Sequence, residues 1–364
     1  MGFDYQKREE MAVAEIKKAI PPALKINMLP VSKGMFCEIY ENEEVFPQHV
    51  MGCAIDSVGT KVVLAEAMQD YRTIGIDCVA MSANDLATFG KMSPFLFMDC
   101  LSVQEKIQEE NISADIIKGI VRGLEQCDAS GILRNSIRLN FGKGETASVH
   151  ELLGSPHEGY GFDLVGCMIG FLPKQSIAFK PKAGQKIIAL QSSGLHSNGF
   201  TDARYQLLSG DFEQRPQVKK LYRGRFSLDE PFEGSTIGKT MLAPTRLYVK
   251  DMAKASRDFA VMGFNNTGYG LKNLNRLQCK VEYHIEKPLT PPPIFSLIQK
   301  EAGYTDEEMY TKFNMGMGFF IIAEKEDAED VAQVASGAIV GSVEKGSSVR
   351  TILHKGKKLV FEGY

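Results

Sequence analysis

The chain has 364 residues, 44% of them hydrophobic, and its 42 Lys and Arg against 45 Asp and Glu leave a net charge of -3. That apolar content supports a sizeable core divided between two domains, and the absence of a basic excess argues against nucleic acid or an anionic membrane surface as a partner. Seven cysteines, an odd number with no Cys-x-x-Cys pair and several inside apolar runs, read as small buried hydrophobes in a reducing compartment rather than as disulfides or a zinc site. The first residues are charged and lack a signal-peptide apolar region. No apolar run is long enough to span a bilayer, so a soluble, cytoplasmic protein is expected.

In chain order, residues 4–20 read as a charged, weakly amphipathic helix ended by Pro21-Pro22, and residues 30–48 as polar and irregular. Strands are predicted at 50–55, 74–81 and 95–99, with a helical run at Val62–Met68. Ile112, Ile116, Ile117, Ile120, Val121 and Leu124 share one helical face, with Asp115 in the first turn where the helix dipole favours it. Asp163–Leu172 is another apolar strand. Lys174–Gln185, rich in Lys, Pro and Gly, reads as the boundary between domains 1–178 and 179–364. Beyond it come a strand at Ile187–Leu190, a glycine-rich loop, and a helix from about Thr201. Further helices are predicted at 244–256, 294–302, 305–313 and 327–335, the third opening on a Thr305-to-Glu308 capping box. Strands are predicted at 279–285, 319–323 and 338–343, and a hairpin turning near Gly356 closes the chain. Strands alternating with helices in both halves give an α/β (α+β) class.

The stretch from Ala54 to Gly90 carries the densest chemistry. A strand runs into Asp56, a tight turn holds Gly59, Thr60 and Lys61, and a second strand carries Asp77 and stops at Asn84-Asp85. Carboxylates at strand ends beside a Gly-Thr-Lys turn suit a metal-bound polyphosphate. The acids hold Mg²⁺, the glycine lets backbone N–H groups approach phosphate, and the lysine neutralises charge. A strand–turn–helix with solvated polar ends has the same spacing. Gln191–Phe200 offers two glycines, three serines, an Asn and a His between a strand and a helix, which makes an anion site. Within it His196 is a candidate for proton exchange near neutral pH; the bland reading is a surface loop with Asn198 as helix cap. Around Glu145, Gly142–Ala147 reads on spacing alone as a plain turn, as does Asn265–Gly270. Phe313–Gly318 reads as a glycine-rich entry to a strand with Met315 and Met317 as core filler. His49, His284 and His354 read as structural, and His150 and His157 fit no common metal spacing. There is no Gly-x-Ser-x-Gly elbow, full P-loop or Rossmann fingerprint.

Eight segments, taken together and in order, resemble the aminoimidazole ribonucleotide synthetases, the phosphoribosylformylglycinamidine cyclo-ligases of purine biosynthesis. They are Asp56-Ser-Val-Gly-Thr-Lys61, Thr73-Ile-Gly-Ile-Asp77, Asn84-Asp85, Gly144-Glu-Thr-Ala147, Ser192-Ser-Gly-Leu-His-Ser-Asn-Gly199, Leu242-Ala-Pro-Thr-Arg-Leu-Tyr-Val-Lys250, Thr267-Gly-Tyr-Gly270 and Phe313-Asn-Met-Gly316. The resemblance, running from about residue 50 to 345, implies a homodimer whose N-terminal sheets pair into a barrel flanked by C-terminal α/β domains. It implies a cleft in which ATP activates the formamide oxygen of formylglycinamidine ribonucleotide before ring closure. Carried onto this chain, Asp56 and Asp85, with Glu145 as a third candidate, bind Mg²⁺. Gly59, Thr60 and Lys61 hold ATP phosphates with Asp77, Asn84, Glu145 and Thr146 near them, and His196, Ser193 and Asn198 sit at the reacting centre. The chain departs from the family pattern at Ser57, at Lys33-Gly-Met-Phe36, at Lys143, at Ser148-Val-His150 and at Tyr269. Each glycine lost from a phosphate cradle removes φ freedom and adds bulk. Two other readings stand beside this one. One is a related ATP-using enzyme, such as a thiamine-phosphate kinase or a selenophosphate synthetase, the latter disfavoured because Glu38 follows Cys37. The other is a nucleotide-binding scaffold.

Overall fold

The computed structural model describes residues 12, 15–16, 18–133, 137–177, 180–277, 279–352 and 356–363. Most of the helix expected at 4–20, and His354, lie outside them. The first sheet comprises β1 (Glu38–Tyr40), β2 (His49–Ser57), β3 (Ser93–Val103), β4 (Asn140–Ser148) and β5 (Phe162–Pro173), in the order β1-β2-β5-β3-β4. All pairs are antiparallel except β3 with β4. Helices α1 (Lys61–Ala67), α2 (Ile74–Ala87), α3 (Glu105–Glu109) and α4 (Ile112–Cys127) belong to the same half, and α2 lies between the sheet and α4.

The second half opens on β6 (Lys186–Gln191), α5 (Phe200–Leu207) and α6 (Pro216–Lys219). A two-stranded ribbon, β7 (Pro231–Phe232) with β8 (Ser235–Thr236), precedes α7 (Ile237–Leu242) and α8 (Val249–Asp258). Then come β9 (Val261–Asn265), β10 (Val281–Ile285), α9 (Pro293–Ala302), α10 (Asp306–Lys312), β11 (Met317–Ala323), α11 (Ala328–Val334), β12 (Ala338–Lys345), β13 (Ser348–Ile352) and β14 (Lys358–Glu362). Their sheet runs β14-β13-β10-β12-β6-β11-β9. The capping box at Thr305 and Glu308 forms as predicted.

Three differences from the sequence expectations matter for the site. The run at 74–81 is not a strand but the first part of helix α2, all of whose residues but Asp85 are buried. A helix covered on every side has no polar stripe, so its sequence shows the unbroken apolar run of a buried strand. Glycines allow the close crossing with α4: a Cβ on Gly75 would stand 2.2 Å from the Ile120 nitrogen, and one on Gly119 2.7 Å from the Arg72 carbonyl. The segment around Glu145 is an edge strand, β4, rather than a turn. The helix expected at 244–256 is split: α7 ends before Ala243-Pro244, the chain is irregular to Tyr248, and α8 follows. Proline cannot continue α7, because it lacks the N–H and disfavours helix at the residue before it.

The two faces of the first sheet differ. On β5, buried and half-exposed residues alternate strictly. The inner face meets α2. The outer face presents Met51, Cys53, Ile55, Val165, Cys167 and Ile169, with Ile55 71% exposed. Cys53, Cys100 and Cys167 are therefore not core residues of the single chain, whereas Cys37, Cys78 and Cys127 are.

Candidate functional site

The candidate site lies where α1, α2 and the end of β2 meet the loop after β6 and the segment between α7 and α8. β2 ends at Asp56, whose Oδ1 accepts the Ser57 N–H at 2.8 Å. Gly59 then turns at φ +68°, with no atom within 4 Å of where a Cβ would sit, so the backbone there faces open space. Thr60 Oγ1 meets Thr201 Oγ1 at 2.8 Å and ties the turn to the start of α5.

Lys61 does not face that space. It is fully buried, and its Nζ donates to Asp77 Oδ1 at 2.9 Å and to the Ala243 carbonyl at 2.6 Å. The same Asp77 oxygen accepts the Thr245 N–H at 2.8 Å, Thr245 Oγ1 at 2.6 Å and Ser197 Oγ at 3.2 Å. One carboxylate oxygen thus joins α1, α2, the loop after β6 and the segment before α8. Burial lowers the pKa of Lys61, and the Asp77 charge opposes that shift. Asn84 spans a similar gap. Its Nδ2 donates to the Arg246 carbonyl at 2.9 Å, and its Oδ1 accepts the Tyr248 N–H at 2.8 Å. Lys61, Asp77 and Asn84, expected near phosphate, are internal fasteners in this conformation.

Asp85 accepts from Asn265 Nδ2 at 2.8 Å. Burial, with Asp56 adding like charge, pushes its pKa up to about 7, against the pull of Asn265 and Arg276. The strand registers disclose a carboxylate that the sequence reading missed. Gly166 on β5 lies between Asp56 on β2 and Asp99 on β3, so the two acids share the inner face across a residue without a side chain. Asp99 is buried, its Oδ1 has no hydrogen-bond partner among the described residues, and burial raises its pKa. The signal was there: an acid at an inward position between Phe97 and Leu101. Among the described residues no three His, Cys, Asp or Glu side chains stand close enough together to hold a metal. Even so, a carboxyl pushed to about 7 beside another acid, and an orphaned acid oxygen nearby, fit a divalent cation.

The glycine-rich loop connects β6 to α5. Ser193 Oγ donates to the Pro244 carbonyl at 2.6 Å. His196 adopts φ +60°, is buried, and its Nε2 accepts the Ser193 N–H at 3.3 Å. Burial, reinforced by the Lys61 and Arg246 charges, depresses its pKa to about 3. In this conformation the imidazole is neutral and its Nε2 lone pair is engaged. Asn198 is half-buried, its Oδ1 turned towards Gly268, and the N-cap of α5 is Gly199 rather than Asn198. Tyr269 takes φ +74° between Gly268 and Gly270. Glu145 and Thr146 stay apart from the cleft. Both are exposed, and Glu145 pairs with Cys100 in register, on the outer sheet face, 3.6 Å from Lys143.

Residues 41–170 match the N-terminal domain model of AIR synthase related proteins, and residues 182–354 match the C-terminal one. A phosphoribosylformylglycinamidine cyclo-ligase of Methanosarcina barkeri is 35% identical over 97% of this chain and 96% of its own. The chain belongs to the AIR synthase related family. Among solved structures, the chain is similar to the HypE-HypF complex, with TM-score 0.55, 13% identity and coverage of 91% of this chain and 94% of that one. It is likewise similar to AaThiL complexed with AMPPCP and TMP, with TM-score 0.53, 13% identity and coverage of 91% of each chain. At that identity the likeness is one of fold. In the terms of the AIR synthase related family, Asp56, Lys61, Asp77 and Asp85 come from the N-terminal domain and His196 and Thr245 from the C-terminal one, so both domains contribute residues to the candidate site.

The far end of α1 is fastened as well. Buried Glu66 accepts from Ser155 Oγ and, through Oε1, from the His157 N–H at 2.8 Å; His157 Nδ1 lies 3.5 Å away. Burial raises its pKa to about 7, opposed by Ser155, the His157 N–H and Arg215.

Two predictions follow the geometry of α1. Lys61→Met leaves Asp77 buried without a counter-charge and is expected to cost roughly 3–5 kcal/mol; Thr245→Val, which removes one donor, should cost about 2 kcal/mol. Urea unfolding measures both, and a Lys61→Met protein as stable as the parent overturns the ranking. Glu66 titrates near 7 when folded, against 4.5 for an ordinary Glu. Its contribution is therefore full below pH 4.5 and is lost as pH rises through 7. Glu66→Gln keeps an oxygen for both donors. The variant should match the parent at about pH 4.5 and exceed it in melting temperature at about pH 8; equal melting temperatures at the higher pH refute the assignment.

Proposed function

We propose that this chain catalyses ATP-dependent closure of formylglycinamidine ribonucleotide to aminoimidazole ribonucleotide, releasing ADP and phosphate. The observation that carries the proposal is the 35% identity, end to end, with a cyclo-ligase, together with a cleft built from both family domains. In this reading ATP phosphates lie against the open backbone of Gly59 and Thr60, where N–H groups meet anionic oxygen. Asp56 and Asp85 would hold Mg²⁺, which when bound neutralises polyphosphate charge. Lys61 and Asp77 act from behind, fixing the turn and the loop after β6 relative to one another. The γ-phosphoryl moves to the formamide oxygen, the amidine nitrogen attacks the activated carbon, and inorganic phosphate leaves. His196 is neutral, with its proton on Nδ1, and orients the loop that brings Ser193 and Asn198 to the substrate. Positioning and charge stabilisation account for most of what such a reaction asks of a protein.

We place the activity in the cytoplasm, in a protein of two domains, 1–178 and 179–364, that works as a homodimer. Among the described residues no helix is long and apolar enough to cross a membrane. The outer face of the first sheet supports the dimer: it is apolar, half-exposed and bounded by the edge strands β1 and β4, and a second copy would cover it. The same face carries Glu145.

Steady-state turnover with ATP, Mg²⁺ and formylglycinamidine ribonucleotide should yield ADP and aminoimidazole product in equal amounts. ATP binding without product overturns the proposed reaction. Asp85→Asn is expected to weaken Mg²⁺-dependent ATP binding by roughly tenfold or more, and unchanged affinity moves the metal elsewhere. Ile55→Asp should convert a dimer to monomer in light scattering. If the parent protein is already monomeric, the sheet face has another purpose.

A further inference from the structure

A second concavity lies at the seam between the two halves. It is a cavity of about 860 Å³, a volume in the range of small-molecule sites. The N-terminal half contributes His49 at the start of β2, Phe89 and Lys91 just after α2, and Ser176 from the connecting segment; the C-terminal half contributes Arg257, in the last turn of α8, and Phe259, just after it. It is separate from the catalytic cleft. Val261 lines it at one end of β9, and Asn265, which holds Asp85, stands at the other end of the same strand. Four residues of extended chain put the two sites about 13 Å apart.

Its electrostatics are one-sided. Asp258 is the sole carboxylate among the lining residues, and Arg257 Nε already holds it at 2.7 Å. The Lys91 and His49 side chains have no hydrogen bond or ion pair among the described residues, although both line the cavity. Two donors without partners in one cavity, beside a guanidinium that Asp258 already engages, supply the chemistry an anion subsite needs. The walls beside it are partly aromatic: Phe259 is half-buried and offers ring surface for a flat ligand to pack against, while Phe89 is mostly buried. We propose that this cavity binds a phosphorylated heteroaromatic metabolite of nucleoside-monophosphate size, with the phosphate at Lys91 and His49 and the ring against Phe259.

The position gives such a ligand access to both halves. Phe89 and Lys91 directly follow the helix that carries Asn84 and Asp85. Arg257 ends the helix that begins beside Tyr248, whose N–H Asn84 holds. The Gly263 N–H on β9 donates to the Thr88 carbonyl at 2.8 Å, so the walls of the cavity are fastened to each other between the two sites.

Calorimetric titration of the full chain with adenosine, guanosine and uridine 5′-monophosphates, with a nonhydrolysable ATP analogue saturating the cleft, tests the proposal. One monophosphate or more should bind at one per chain, and the corresponding nucleoside about tenfold more weakly or worse, for want of its charged contacts. Lys91→Glu should reduce the affinity by about tenfold or more and leave turnover without added monophosphate unchanged. His49→Gln should reduce it in the same sense. The proposal is overturned if none of the three monophosphates binds, if the nucleosides bind equally well, if both variants bind like the parent, or if the ATP analogue abolishes binding. None of these readouts depends on cyclo-ligase turnover.

Discussion

Lys61 and Asp77 form an ion pair with no access to water, and the geometry of the cleft depends on it. Ion pairs of this kind contribute little net stability, because desolvation offsets attraction; their force lies in what happens when the geometry fails, since either charge alone is intolerable in the interior. Here the penalty enforces a particular arrangement. Asp77 Oδ1 collects donors from α1, the loop after β6 and the segment before α8, so all must be in place together for the charge to be satisfied. The open turn at Gly59 is held at a fixed distance from the histidine loop by this single oxygen.

The same constraint explains why the site presents fewer solvent-facing side chains than its motifs suggest. Residues that read as ligands in a line of sequence divide into two layers in space. Asp56, Gly59, Thr60, Ser193 and Asn198 remain at or near the surface of the cleft, while Lys61, Asp77, Asn84 and His196 form the layer beneath. His196 illustrates the second layer: a non-glycine residue in the left-handed region and an imidazole held neutral by burial, serving to set the path of the loop that carries its neighbours.

Much of this was legible in the chain. The apolar strands at β2, β3, β5 and β6, the amphipathic α4 and the capping box of α10 all follow from periodicity and local chemistry. What misled was burial on all sides. α2 has no polar face to mark its period, so an apolar run with Gly75 near its start looks like a strand, and its helical nature is decided by packing against α4 through glycines far along the chain. The segment around Glu145 was read as a turn for a related reason: the pairing of β4 with β3 that makes it an edge strand is set by tertiary contact. Asp99 went unnoticed because its significance comes from a glycine on another strand.

Helix α2 belongs by sequence to the N-terminal domain, yet it fastens the C-terminal one through Asp77, Asn84, Asp85 and Thr88. A single hydrophobic core runs from Met35 to Phe361. The division into two family domains is therefore not a boundary of cooperativity. Severed near residue 178, the N-terminal piece would keep its helix and lose that helix's partners, exposing two acids and an amide that were ordered only by the other half. The chain should accordingly melt as one unit, and its domains should not be exchangeable between relatives unless α2 and the segment before α8 travel together.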